Sequence, residues 1–378
     1  MRVGILTYGL DRSPTGIGRY VGAMIDALAV LPDGPELVLL TTERADPDGR
    51  WDRLARVALP GCRTLPALMT WGNAVLSEVA RRNRLDIIHD PNGIAPFFGP
   101  AHGVARVVTL FDACPYVSPE THNALDTWRY HHMLPRTAPR ADVVLTISET
   151  SRRDLLRYLP LDPARLHVTS CGVAPRFAPV ANPQMALAAL GISQPYVLYL
   201  GGINARKNIA TLLRAFARVR ALVPALTLVI GGARQWRTSG LDALAAHLHL
   251  TDALVLPGYI DDNLLPALYS GAALFAFPSL YEGFGLPPLE AFACGTPVVT
   301  SATSSLPEVV GDAALCVDPT DDTALANAML AILHDPVLRA TLRARGLARA
   351  ADFSWQRVAE ATHNGYRLAL RANRMEAA

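Results

Sequence analysis

From its amino terminus to its last helix the chain alternates short apolar runs with amphipathic stretches, which restricts it to β-α-β units on parallel sheets. The best-defined unit lies late in the sequence. Ala272-Ala-Leu-Phe-Ala-Phe-Pro278 is apolar and short, as a buried strand is. Glu282-Gly-Phe-Gly-Leu-Pro-Pro-Leu-Glu290 follows, and Pro287 and Pro288 suit the first turn of a helix, where a missing N–H costs nothing. Gly295 reads as the helix stop before a second strand, Pro297-Val-Val-Thr300. The glycine-containing loop therefore sits at the carboxyl end of a strand, where open α/β sheets bind ligands.

At 378 residues the chain exceeds one ordinary domain, so two are expected. Apolar residues make up 51% and charged ones 18%, against roughly 25% charged in an average globular chain, which indicates large cores and argues against disorder. Predicted strands in the first half are 2–8, 36–42, 86–89, 104–110, 143–147 and 165–169; predicted helices are 17–31, 72–82, about 123–135 and 149–158. The second half gives strands 196–200, 226–230 and 254–256 before the unit above, and helices 208–222, 240–248, 262–270 and 322–334. A last amphipathic helix follows Trp355. The Pro- and Gly-containing stretch 172–195 reads as a connection. The expected organisation is a doubly wound domain over 1–180, a second over 181–356, and a terminal helix, about 357–375, packing back on the first.

Lysine usage singles out one position. Of 35 basic residues only Lys207 is a lysine, and it lies in Gly201-Gly-Ile-Asn-Ala-Arg-Lys-Asn-Ile209, just after the predicted strand 196–200. Lysine is a compact charge that reaches one phosphate oxygen without the bidentate geometry arginine prefers. Arg206 and Lys207 at a helix start are electrostatically poor unless an anion joins them. The free amides at the start of the later helix suit a phosphate, and Glu282 and Glu290 suit sugar hydroxyls. The plainer alternative is one solvated and one capping glutamate.

Near the amino end, Thr15-Gly16-Ile-Gly18-Arg19-Tyr20 opens a helix, and two glycines there let backbone approach a phosphate. Glu43, at the end of the second strand, invites a dinucleotide reading. Against it, the first glycine comes about seven residues after the strand, and Gly22 is one place late for G-x-G-x-x-G.

The net charge of +2 is too small for a nucleic-acid binder. The five cysteines, Cys62, Cys114, Cys171, Cys294 and Cys316, lack ligand spacing and read as reduced thiols of a cytosolic protein, with no metal site. No apolar run approaches the roughly 18–20 residues that span a bilayer. A lipid-linked acceptor would therefore require association with the inner membrane surface through Arg81, Arg82 and Arg84 or Arg152, Arg153 and Arg157, although solvated helix faces explain both clusters more simply.

Taken together, the motifs resemble glycosyltransferase family 4, retaining enzymes of the GT-B fold with two facing Rossmann-like domains and an interdomain cleft. The resemblance covers nearly the whole chain: Gly16-Ile-Gly-Arg19, Ser148-Glu-Thr-Ser-Arg-Arg-Asp154, Gly201-Gly-x4-Lys207-Asn208, Pro257-Gly-Tyr-Ile-Asp-Asp-Asn-Leu264, the glutamate pair and Leu306-Pro-Glu308. It implies a nucleotide-diphosphate sugar donor, a glycan or lipid-linked glycan acceptor, no cofactor and no metal. In that family pattern Gly16, Gly18, Gly202, Arg206 and Lys207 surround the donor diphosphate, the two cations neutralising the leaving group. Glu290 accepts the ribose hydroxyls and Ile260 lines the base pocket. Glu282 faces the transferred sugar, with the amides of Gly283, Phe284, Gly285 and Leu286 beside it. Arg19, His89 and Asn92 fall on the acceptor side.

One position departs from the pattern. Many members carry His-Asp where this chain has Phe111-Asp112, so Asp112 remains as a candidate catalytic residue, with Glu282, Arg206 and Lys207, without its usual neighbour. His89 and the His131-His132 pair are candidates to replace it, although a packing or surface role suits each of them better. The Thr109-Leu-Phe-Asp112 strand end and Glu-Gly-Phe-Gly-Leu resemble mannosyltransferases of bacterial polysaccharide assembly. GDP-mannose is therefore favoured, with UDP-linked glucose or N-acetylglucosamine open. The competing readings are an inactive nucleotide-sugar binding protein and a nicotinamide-dependent oxidoreductase. A pyridoxal-phosphate phosphorylase is remote, because the one lysine already belongs to the diphosphate motif.

Overall fold

A computed structural model describes residues 1–8, 10, 16–41, 49–99, 103–232 and 240–377, excepting the side chains of 376 and 377. Glu43 and Thr15 lie outside the described residues. The chain divides into two units, Met1–Gly172 with Trp355–Ala378, and Val173–Ser354. The first boundary falls before the expected 180/181 because residues 173–180 bond to the second unit. Val173 N–H donates to Phe353 O at 2.9 Å, and Val180 N–H to Ser270 Oγ at 3.0 Å.

The first unit carries a seven-stranded, all-parallel sheet. Its strands are β1 (Arg2–Leu6), β2 (Glu36–Thr41), β3 (Ala55–Ala58), β4 (Ile87–Asp90), β5 (Ala105–Thr109), β6 (Val143–Thr146) and β7 (Leu166–Val168), in the order β3-β2-β1-β4-β5-β6-β7. The second unit carries six parallel strands: β8 (Tyr196–Leu200), β9 (Thr227–Gly231), β10 (Leu254–Gly258), β11 (Leu274–Phe277), β12 (Val298–Ser301) and β13 (Ala314–Val317), ordered β10-β9-β8-β11-β12-β13. The central strands β8 and β11 are buried at every residue, as helices on both faces of a parallel sheet require. The winding direction reverses between β1 and β4 in one sheet and between β8 and β11 in the other. Each reversal opens a crevice at the carboxyl ends of the two strands.

Several elements differ from expectation. Strands β3 and β13, and the helices Gln184–Ala189 and Pro336–Ala351, were not anticipated. The single helix expected at about 123–135 is interrupted by a π-helical stretch, Arg129–Met133, in which Leu134 N–H donates five residues back to Arg129 O. Pro135 has no N–H and its ring crowds the carbonyl four residues earlier, which favours the wider turn there. The terminal helix Trp355–Ala377 belongs to the first unit, and Gly365 lets it lie on β6: an added Cβ would come within 2.9 Å of Leu145. Among the described residues no helix is long and apolar enough to cross a membrane.

Candidate functional site

In the second unit, β8 leads into Gly201-Gly-Ile-Asn-Ala-Arg-Lys207 and the neighbouring β11 leads into Pro278-Ser-Leu-Tyr-Glu282, so the reversal of strand order brings the two loops together. Backbone and side chains then lock them. Leu280 N–H donates to Arg206 O at 2.8 Å. Asn208, in the left-handed region at φ 57°, donates from Nδ2 to Pro278 O at 3.0 Å and Pro319 O at 2.6 Å. Asn204 Oδ1 accepts from Lys207 N–H at 3.2 Å, capping the 3-10 turn Ala205–Lys207 that carries both cations. From the other side, Gly232 brings β9 so close that an added Cβ would lie 1.9 Å from Gly201 O. Only glycine fits there, and its φ of +134° is one that side chains rarely adopt.

The charged groups meet at this junction. Lys207 Nζ lies 2.5 Å from Glu282 Oε1 and Arg206 Nη1 lies 3.0 Å from Glu282 Oε2, with side chains only 12%, 18% and 10% exposed for Lys207, Arg206 and Glu282. Arg206 also donates to Tyr281 O. Lys207 Nζ sits 4.9 Å from the centroid of the Phe277 ring, which itself stacks on Tyr199. Burial by itself would raise the Glu282 pKa, but Lys207 and Arg206 overcome it and hold the carboxyl down at about 2. One carboxylate between two cations leaves the triad with a net charge of +1. Such a cluster is ready for an anion.

Beside the triad the helix Leu286–Ala293 begins. The N–H groups of Phe284, Gly285 and Leu286 find no acceptor among the described residues, although Phe284 and Gly285 are buried. Buried donors without acceptors are rare in folded proteins and mark a place for a ligand. Pro287 and Pro288 have no N–H, so the donors at this helix start are concentrated in the three preceding residues. Glu290, half-buried on the same helix, accepts from Tyr269 Oη at 2.9 Å. Gly202 O accepts from Tyr199 Oη at 3.3 Å, and buried Ile260 follows β10 with its side chain against Gly231.

The candidate residues of the first unit are less concentrated. Gly16 and Gly18 open the helix Gly16–Ala29, where a Cβ at Gly16 would meet open space, and Arg19 is half-buried beside them. Asn92 donates from Nδ2 to Leu6 O at 2.9 Å, tying β4 to β1 where the winding reverses. Asp112 Oδ1 accepts from Cys114 N–H at 2.8 Å, just before the short helix Cys114–Val117. Phe111 packs edge-on against Tyr20 at 5.1 Å.

His89 requires a correction. It is fully buried, with Nδ1 2.8 Å from Tyr366 Oη and Nε2 2.9 Å from Thr109 Oγ1, so it cannot touch an acceptor. Burial lowers its pKa to about 3 and keeps it neutral. His131 and His132 are exposed, near Tyr116 and Trp128 respectively. The arginine clusters are largely engaged within their own helices: Arg81 and Arg82 both bond Glu78, and Arg152 pairs with Glu149.

Residues 14–177 match the model of glycosyltransferase family 4 and residues 188–349 that of the group 1 glycosyl transferases. The O-antigen chain mannosyltransferase B of Escherichia coli is 34% identical over 399 aligned positions, covering 97% of this chain and all of that protein. The chain belongs to glycosyltransferase family 4. Its GT-B fold is shared with sucrose-phosphate synthase from Thermosynechococcus elongatus, at a TM-score of 0.78 and 25% identity over 97% of this chain and 98% of the other. Anabaena HepE, solved with UDP and glucose, superposes at a TM-score of 0.75 with 17% identity over 95% of this chain and 97% of the other. Within this glycosyltransferase, sequence reasoning overlooked the clamping function of Asn208 and the aromatic bed of Tyr199 and Phe277. The αL-tolerant Asn directly after Lys207 was the one local signal for the first.

Proposed function

We propose that this glycosyltransferase moves mannose from GDP-mannose to a glycan or lipid-linked glycan acceptor in polysaccharide assembly, with retention at the anomeric carbon and without a metal. The observation that carries the reading is the triad of half-buried Arg206 and Lys207 on buried Glu282, beside three amides that find no acceptor among the described residues. The name of the Escherichia coli relative supports the choice of sugar. Breaking the bond between C1 and the diphosphate oxygen builds negative charge on the leaving group. Arg206, Lys207 and the amides of residues 284–286 are already fixed to receive it, so little reorganisation is needed in the transition state. Their two positive charges serve in place of a divalent cation.

Glu282 then faces the sugar, whose C1 gains positive character as the bond lengthens. The acceptor oxygen attacks from the face the diphosphate leaves, and the acceptor proton passes to the departing phosphate oxygen. Glu290 holds the ribose and Ile260 lines the base pocket. Gly16, Gly18 and Arg19 serve the diphosphate and acceptor from the first unit. Asp112 is the remaining candidate beside the sugar.

A thermal-shift screen of nucleoside diphosphates and their sugars tests this. A ligand at a hundred times its dissociation constant stabilises by about 2.7 kcal/mol. GDP and GDP-mannose should give that shift in the presence of a chelator, and Lys207→Ala should lose most of it. A shift with UDP-sugars alone would replace the donor, and an unchanged shift in Lys207→Ala would refute the diphosphate assignment.

A further inference from the structure

Three successive hydroxyls after β12 hold the loop that carries Glu282. Thr303 Oγ1 donates to Leu280 O at 3.2 Å. Ser304 Oγ accepts from Glu282 N–H at 3.0 Å. Ser305 Oγ, fully buried, lies 2.8 Å from Glu282 O and 2.7 Å from Phe284 O, so its single proton is shared between two carbonyls. The backbone of Glu282 is therefore gripped at both its N–H and its C=O from a segment more than 20 residues away, while its carboxylate is gripped by Lys207 and Arg206.

Ser304 does this from a left-handed conformation, φ 55°. That region is sparsely used by non-glycine residues and costs glycine nothing. A serine held there points to a use for its hydroxyl, since glycine would satisfy the backbone alone. The neighbouring donors make the consequence concrete. With Glu282 N–H occupied by Ser304, the amides left for an anion are those of residues 284–286, and Ser305 sets their position by holding the carbonyls of Glu282 and Phe284.

We propose that Ser304 and Ser305 are positioning residues for sugar transfer, fixing the backbone of Glu282 and the adjacent anion-binding amides in their working geometry. The inference rests on the assignment of Glu282 to the donor site. Catalytic contributions of oriented groups fall steeply with small displacements, whereas ground-state binding spread over many contacts does not. Loss of the hydroxyls should therefore appear in kcat more than in the donor KM.

The test compares wild type with Ser304→Gly, Ser304→Asn, Ser305→Ala and Glu282→Gln in steady-state transfer from GDP-mannose, with melting temperatures alongside. Ser304→Gly relieves the strained φ and should fold at least as well as wild type. Asn tolerates the left-handed region and keeps an oxygen acceptor. The expected result is a kcat about tenfold lower in Ser304→Gly and Ser305→Ala, with donor KM within about twofold of wild type and partial recovery in Ser304→Asn. Wild-type kcat in Ser304→Gly beside an inactive Glu282→Gln would overturn the inference and leave the donor-site assignment standing. A fully active Glu282→Gln would overturn both.

Discussion

Where β1 meets β4 in the first sheet, the groups at and beside the reversal are Asn92, Asp90 and His89, each satisfied by backbone, Thr109 or the terminal helix. Where β8 meets β11 in the second, they are half-buried Arg206 and Lys207 with buried Glu282, a cluster whose three side chains sum to one positive charge. Both crevices arise from the same winding rule. The difference lies in what each crevice does with its polar groups. The first uses them to fasten strands and the returning helix Trp355–Ala377 to one another. Among the described residues, the second leaves the N–H donors of residues 284–286 without acceptors, which is where a ligand is called for.

The strongest way to break this contrast is to remove the surplus charge. Arg206→Ala with Lys207→Ala should reduce transfer about a thousandfold or more, since on the proposed reading both groups that meet the leaving diphosphate are lost together. It should also destabilise the fold by about 3–5 kcal/mol, because Glu282 is left buried without a partner. Rates and urea midpoints measure the two effects separately. A double variant that kept its activity would make the second crevice as structural as the first.

Next in size, Glu282→Gln should lower transfer about a hundredfold. Its effect on acid stability follows from the depressed carboxyl. The folded pKa is about 2 against an ordinary 4.5, so the charged form is favoured by folding. The resulting stability is present above pH 4.5 and is lost as pH falls from there towards 2. The stability difference between wild type and Glu282→Gln should shrink across that window, which urea titrations at stepped pH would reveal.

His89 sets a different acid window in the first unit. Its folded pKa, about 3, lies below the ordinary 6.5, so the unfolded chain binds a proton that the folded chain refuses. Stability is complete above pH 6.5 and falls as pH drops towards 3, by up to about 1.4 kcal/mol per pH unit. His89→Gln should flatten this slope while lowering stability at pH 7 by roughly 1–3 kcal/mol through the lost hydrogen bonds. Donor affinity should be untouched. The smallest effect belongs to Tyr366→Phe, about 1 kcal/mol of stability with unchanged transfer. A change in donor affinity in either variant would show that the first crevice is more than a fastening.

Legibility in the sequence followed burial and distance along the chain. Strands β8 and β11 were readable because every residue is buried and glycine or proline follows. The missed strands β3 and β13 are edge strands with most of their residues exposed or half-exposed; Arg56 breaks the apolar run of β3, and the apolar run Ala314-Leu-Cys-Val317 of β13 is only four residues long. Helix Pro336–Ala351 was missed because its buried residues, Leu342, Gly346 and Ala350, include two small ones that leave only a faint stripe. Lys207 and Glu282 were found from local motifs, but their pairing was not, since 75 residues separate them. The packing role of His89 was the better reading from sequence, but its partner was not legible: Tyr366 lies 277 residues on, in a helix whose packing no local pattern reveals.

Calorimetric titration of GDP into the full chain and into Lys207→Ala addresses the central claim most directly. Clear wild-type binding without added metal is expected, with affinity at least about a hundredfold weaker in the variant, the loss expected when a charge-assisted contact to phosphate is removed. Equal affinity in the two proteins would contradict the claim.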